Sequence, residues 1–254
     1  MTERYNPTEL MICTASRLME DNSTAFIGTG VPMLAAALAQ KRHAPNLVTI
    51  FEFGGTGADL EDLPLAVGER RTFHKALAAS GILDIVETAQ RGFIDYGFLG
   101  GAQIDPYGNL NSTVIGDHDA PKVRLPGSGG GNDVGSHCWR TIAIMQHDQR
   151  RFVEKVDFIT TPGYLTGPGA REEAGLGPGT GPYRVVTPLA VMGYDEESKR
   201  MTLLMTQPGV SVEEVQSHTG FELPISEDVH ENTPPQDEEL KILREQVDKD
   251  KFYI

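Results

Sequence analysis

Between Pro7 and Phe51 the hydrophobic period switches repeatedly, and that alternation restricts the fold more than any other feature of the sequence. Leu10, Met11, Ala15, Leu18 and Met19 recur at helical spacing over Pro7 to Glu20, and the apolar run Thr24 to Ile27 then ends in GTG. From Pro32 the stretch MLAAALAQKR predicts a second helix, and Val48 to Phe51 a second buried strand. Helix, strand, helix, strand at these lengths is the pattern of a parallel sheet, because a parallel neighbour is reached only through a crossover, usually a helix.

The alternation continues along the chain. Ser80 to Gln90 predicts a helix, and Phe93 to Leu99, Leu110 to Ile115, Thr141 to Met145 and Phe158 to Thr161 predict strands. A long connector fills Gly54 to Thr72, and a short helix is expected around Asn132 to Cys138. Thr160 to Tyr183 is too rich in Gly and Pro for a regular element. Val185 to Tyr194 and Met201 to Gln207, separated by DEESKR, read as an antiparallel hairpin, and Val212 to Thr219 and Asp237 to Val247 as polar closing helices. No internal repeat is present. The expected fold is α/β, an open, mostly parallel sheet flanked by helices with a C-terminal hairpin and helices. With 254 residues, 39% of them hydrophobic, residues 1–254 are long enough to bury one large core as a single domain.

Charge and cysteine content narrow the function classes. A formal net charge of -14 argues against nucleic acid or an anionic membrane as partner, since both select a basic surface. A polyanionic ligand would have to be held by backbone N–H groups, a few local cations or another chain. The only cysteines, Cys13 and Cys138, make neither a disulfide framework nor a CxxC metal site. MTERYNPTEL lacks the order of a signal peptide and no apolar run reaches a membrane span, so a cytoplasmic location is expected.

Four stretches could carry chemistry. GTG at Gly28 to Gly30 sits where a dinucleotide fingerprint would, but Met33 replaces the third glycine, and a tight strand-to-helix turn is the simpler reading. EFGGTG, Glu52 to Gly57, follows a strand directly, the usual place for ligand sites in open α/β sheets; glycines there would clear space around the Glu52 carboxylate, or Glu52 would merely cap the turn. GGAQIDPYGNLNS, Gly100 to Ser112, contains a turn with Pro106 and Gly108, and Gln103 and Asn109 could orient a ligand or serve the turn alone. LPGSGGGNDVGS, Leu125 to Ser136, concentrates glycines whose entropic cost needs a use, either a flexible turn or a nest of N–H groups open to an anion. The seven histidines form no HxH or HxxxH pair, so no metal site is expected.

Together FEFGGTGAD, GGAQIDPYGNLNSTVIGD, PGSGGGND, MQHDQRRFVEKVDFITTPGY and GYDEESKRMTL resemble the family I CoA-transferases, in particular the B subunit of the glutaconate enzymes, over nearly the whole chain. The resemblance implies an ExGxxG nucleophile, matched at each fixed position by Glu52, Gly54 and Gly57. It also implies coenzyme A as substrate and covalent intermediate with no tightly bound cofactor, and an unlike A subunit as partner. Phe53, Gly54, Gly57, Gln103, Gly127, Gly129, Gly130 and Gly131 are the residues expected to contact CoA or substrate.

The implied function is transfer of CoA between an acyl-CoA thioester and a free carboxylic acid, dicarboxylic acids among the candidates, through a glutamyl-CoA thioester. The sequence departs from the pattern at Phe53, where the glutaconate enzymes carry a small serine. That bulk leaves two rivals open: hydrolysis, ring-opening C–C cleavage or decarboxylation of a CoA thioester with Glu52 as general base, and a non-enzymatic anion-sensing module.

Overall fold

The computed structural model describes residues 4–254 and divides into two compact units. The first comprises the chain up to Phe98 together with Pro234–Ile254, and the second is Leu99–Thr233. Helix α1, Pro7–Ser16, starts on a reciprocal cap: the Asn6 side chain accepts the Glu9 N–H at 2.9 Å while the Glu9 carboxylate accepts the Asn6 N–H at 2.9 Å. Strand β1, Thr24–Phe26, leads to α2, Val31–Arg42, in which every residue from Met33 to Ala39 is buried. The small side chains of MLAAALA suit a helix enclosed on all sides, since they let α1 and the sheet approach closely.

Strand β2, Val48–Ile50, pairs parallel with β1 in the register Thr24 to Val48. The chain then reverses through β3, Gly55–Thr56, a single 3-10 turn at Arg70–Phe73, and β4, Ala78–Ala79, with β2, β3 and β4 antiparallel in sequence. These two-residue strands lie inside and just after the predicted connector, too short to carry a period. Helix α3, Ile82–Gln90, returns the chain to β5, Tyr96–Leu99, which pairs parallel with β1. The Asp95 carboxylate fixes that return by accepting both the N–H and the hydroxyl of Thr24, at 2.8 and 2.9 Å.

The second unit corrects the predicted strand Leu110 to Ile115. Asn111 makes an Asx turn, its Oδ1 accepting the Thr113 and Val114 N–H groups, and this breaks the run in two. Strands β6, Gln103–Ile104, and β7, Leu110–Asn111, form one small ladder, and β8, Val114–Gly116, and β9, Pro121–Arg124, form another. Helix α4 is Gly131–His137, and β10, Arg140–Ile144, pairs parallel with β11, Pro182–Val186. A one-turn helix α5, Ala170–Glu173, interrupts the Gly/Pro segment. The strand predicted at Phe158 to Thr161 does not form: Phe158 and Ile159 are exposed, and only a single bridge joins Thr161 to Leu110.

The stretch Val185 to Tyr194 is likewise two elements. The Thr187 hydroxyl accepts the Leu189 and Ala190 N–H groups, turning the chain at Pro188 into β12, Ala190–Tyr194, antiparallel to β11. The predicted hairpin across DEESKR is present as β12 with β13, Met201–Thr206. Helix α6, Val212–His218, is followed by β14, Ile225–Glu231, whose polar and mostly exposed sequence gave no strand signal. Ile104, Phe152, Val185, Met192, Met201, Leu203, Val215 and Phe221 fill the core of this unit.

Helix α7, Asp237–Ile242, with a π turn over Leu243–Val247, brings the C-terminal segment back into the first unit. It is less polar than predicted, because Leu240, Ile242, Leu243 and Val247 are all buried. The fold class is α/β, a mostly parallel central sheet with flanking helices, with antiparallel pairs at β2–β4 and β11–β13 and in the small ladders β6–β7 and β8–β9. No helix among the described residues is long and apolar enough to cross a membrane.

Candidate functional site

In the first unit the candidate residues form a hairpin. The Phe51 N–H donates to the Gly55 carbonyl at 2.8 Å and the Gly54 N–H to the Phe51 carbonyl at 3.0 Å, which places Glu52 and Phe53 at the two corners of a tight turn between β2 and β3. Glu52 is half-buried, and the Phe53 ring is 50% exposed with its face over the backbone of Gly68. A carboxylate at such a corner is rigidly carried yet reachable, the condition for a group that must meet a substrate in one orientation.

The glycines of the motif serve a different end from the one the sequence suggested. A methyl group at Gly54 would collide with the Ser80 carbonyl oxygen, and one at Gly55 with the Thr72 carbonyl oxygen. At Gly57 it would meet Leu77 Cδ1 at 2.6 Å. Close approach of the following segment, by the backbones of Ser80 and Thr72 and by the Leu77 side chain, requires them. Gly55→Ala is therefore expected to cost about 1–3 kcal/mol by overpacking, whereas Gly28→Ala, with nothing within 4 Å of the added methyl, stays near wild type. Paired urea titrations of the two variants check the difference.

The segment that follows this turn lines a cavity of about 560 Å³, bounded by Asp59, Asp62, Glu69, Arg70, Arg71 and His74. Lys75 pairs with Asp59 at 3.2 Å, Lys249 with Asp62 at 3.1 Å, and Arg71 with Glu69.

In the second unit Gln103 is buried and its amide is spent inside the protein. Its Oε1 accepts from Asn111 Nδ2 at 2.7 Å and from the Asp157 N–H at 3.0 Å, while Nε2 donates to Asp157 Oδ2 at 3.1 Å. Gln103 therefore positions the β6–β7 ladder against residue 157 instead of presenting an amide to a ligand. Asn109 is engaged in the same way: its Oδ1 accepts from the Gly163 and Leu165 N–H groups, and its Nδ2 donates to the Asp105 carboxylate at 2.8 Å. Burial pushes the Asp105 carboxyl up, although bonds from Asn109 and Tyr107 oppose the shift. DPYGN is thus a buried staple between two loops.

The glycine run is an ordered loop leading into α4. Gly127, at φ +96°, donates its N–H to the Ser112 carbonyl at 2.8 Å and accepts from the Ser112 hydroxyl at 2.9 Å. The Gly131 N–H donates to the Ser128 carbonyl and the Asn132 N–H to the Ser128 hydroxyl. Two of the four glycines expected to offer N–H groups, Gly127 and Gly131, therefore have theirs bonded within the loop. Gly130 caps α4, and Gly129, at φ +50°, is exposed.

Two residues that the sequence did not single out organise this unit. Arg171, in the Gly/Pro segment, is buried and, among the described residues, makes no ion pair within 4.0 Å. It donates to the carbonyls of Pro162, Gly163, Gly135 and Ser136 and to the Thr180 hydroxyl, at 2.9–3.2 Å. An irregular loop of this length orders around such a hub, and the lone arginine inside a run of Gly and Pro was the available signal. His147 sits between the hydroxyls of Thr187 and Thr219, each at 3.0 Å, and stacks on Phe152. Burial pulls its imidazole down to about 4, so it is neutral and structural at physiological pH. Among the described residues no group of three His, Cys, Asp or Glu is placed to hold a metal ion.

Comparison with known proteins agrees with this architecture. The sequence profile described as Coenzyme A transferase matches residues 8–218. The B subunit of glutaconate CoA-transferase from Acidaminococcus fermentans is 37% identical over 98% of this chain and 95% of its own length. The B subunit of 3-oxoadipate CoA-transferase from Pseudomonas knackmussii is 37% identical over 94% of this chain and 92% of its own. The crystal structure of glutaconate coenzyme A-transferase from Acidaminococcus fermentans superposes with a TM-score of 0.94 at 35% identity, covering 99% of this chain and 98% of that one. By the profile match and by identity across nearly its full length, the chain belongs to the coenzyme A transferase family.

Proposed function

We propose that this chain is the nucleophile-carrying subunit of a heteromeric cytoplasmic CoA-transferase, and that Glu52 is that nucleophile. The observation that supports it is the hairpin corner: a half-buried carboxylate on a turn whose following strand is fixed by close backbone packing. Both relatives are named as B subunits, which supports an unlike A subunit as partner. The Glu52 carboxylate attacks the thioester carbonyl, forming an acyl–glutamyl anhydride and releasing CoA thiolate. The thiolate then attacks the glutamyl carbonyl, giving a glutamyl-CoA thioester and freeing the first acid as its carboxylate. An acceptor carboxylate runs the two steps in reverse. No bond is lost to water, so the thioester's reactivity passes from one acid to the other.

Each tetrahedral intermediate carries an oxyanion, and a fixed N–H donor aimed at it is worth about 3 kcal/mol. The exposed backbone at Gly129, beside the half-buried Gly130 at the cap of α4, and the half-exposed Phe53 are the proposed contacts to CoA and substrate. Gly54, Gly57, Gly127, Gly131 and Gln103 act by holding their loops in place. The deciding experiment incubates the assembled complex with acyl-CoA thioesters, treats it with borohydride and maps peptides by mass spectrometry. Reduction of a glutamyl thioester leaves a primary alcohol at Glu52. An unmodified Glu52 peptide under conditions of active turnover would remove the covalent scheme and favour general-base hydrolysis.

A further inference from the structure

The 59–74 segment carries a cation that the covalent scheme leaves unused. Two contacts tie this segment to the turn bearing Glu52: the Phe53 ring lies over Gly68, and the Gly55 backbone abuts the Thr72 carbonyl. Arg70 falls between Gly68 and Thr72, at the start of the 3-10 turn, and lines the cavity of about 560 Å³. Of the charged groups facing that cavity, the three carboxylates are each engaged by a cation, Asp59 by Lys75, Asp62 by Lys249 and Glu69 by Arg71. His74 has Glu61 at 3.9 Å. Arg70 is exposed and, among the described residues, has no carboxylate within ion-pair distance.

We propose that Arg70 is a specificity-determining residue that binds a second carboxylate, at the far end of the acid being activated or released at Glu52. Within this unit, the segment that lines the cavity packs against the Glu52 turn at Gly55 and Phe53. The cavity volume is in the range of small-molecule sites, ample for a short dicarboxylic chain. A planar guanidinium without an internal partner offers two parallel N–H groups that match a carboxylate. Phe53, lying between the reacting end and Gly68, would pack along the methylene chain that joins the two carboxylates. The inference rests on the assignment of Glu52 as the reacting group.

The test uses the assembled complex with acetyl-CoA as donor and two acceptors of similar chain length, glutarate and butyrate, which differ in the second carboxylate. Wild type should prefer glutarate. Arg70→Gln should lower kcat/KM for glutarate by about tenfold or more while moving butyrate by less than about twofold, and Arg70→Lys should recover part of the loss. Arg70 is exposed, so the substitution strands no buried group. An equal fall for both acids, or a rise in KM confined to acetyl-CoA, would assign Arg70 to a CoA phosphate and overturn the proposal. Unchanged selectivity, or a wild type that uses glutarate no better than butyrate, overturns it as well. Failure of the Glu52 assignment would show separately, as transfer to both acids retained by Glu52→Gln.

Discussion

Glu52→Gln is expected to leave the folded complex and its affinity for CoA intact while reducing transfer by about four orders of magnitude or more, the scale seen when a covalent nucleophile is deleted. The amide is nearly isosteric with the carboxylate, so the hairpin held by the Phe51 and Gly54 N–H bonds keeps its shape. What is lost is the attacking lone pair of an anion. Glu52→Asp should also fall by about a hundredfold, because shortening the side chain by one methylene withdraws the nucleophile from its attack position. Initial rates of CoA exchange between acyl-CoA and free acid measure both variants. Transfer above a tenth of wild type in Glu52→Gln would sink the covalent mechanism.

Glu239→Gln should destabilise the first unit by about 3 kcal/mol and lower its melting temperature by several degrees. Glu239 is buried, and its carboxylate receives Arg17 Nε at 2.8 Å and Arg42 Nη1 at 2.8 Å. Removing the anion leaves two arginines facing one another with their shared partner gone. Burial raises the Glu239 carboxyl, but the hydrogen bonds from Arg17 and the Gln236 N–H and the two guanidinium charges outweigh it, and the group titrates below the ordinary carboxylate range. A depressed carboxylate contributes stability that is complete above its unfolded value, about 4.3, and is lost as pH falls through the folded value. The gap between wild type and Glu239→Gln should thus be widest near pH 7 and shrink towards pH 3. Thermal unfolding at both pH values reads it; a gap below about 1 kcal/mol at pH 7 would show that the arginines find other partners.

The α/β class was legible because α1 shows helical spacing, α2 is an alanine-rich run too long for a strand, and the short apolar runs of β1 and β2 alternate with them. Glu52 was legible for a related reason: it directly follows an apolar strand within a glycine pattern. The pairs that shape its surroundings were not. Strands β3 and β4 have two residues each, below any periodic signal, and they exist because Gly54 and Gly55 admit the backbones of Ser80 and Thr72. Asn111 and Thr187 sit inside apolar runs that read as continuous strands. Their side chains capture nearby N–H groups and turn the chain, a local competition that hydrophobic pattern does not register. The internal use of Gln103 and Gly127 depends on Asp157 and Ser112, which no spacing rule connects to them.

The return of residues 234–254 to the first unit sets an order on biosynthesis. Chains generally fold domain by domain as they emerge, earliest segments first. Here Leu99–Thr233 is contiguous and can close as soon as it is clear of the ribosome, whereas the first unit lacks its last helix until residues 234–254 have been made. Until then the partners of Arg17 and Arg42 on α7, and the apolar seat for Leu240, Leu243 and Val247, stand open on the nascent chain. The unit that carries Glu52 is started before Leu99 and closed only after Thr233, so the proposed catalytic hairpin gains its full support once residues 234–254 have emerged.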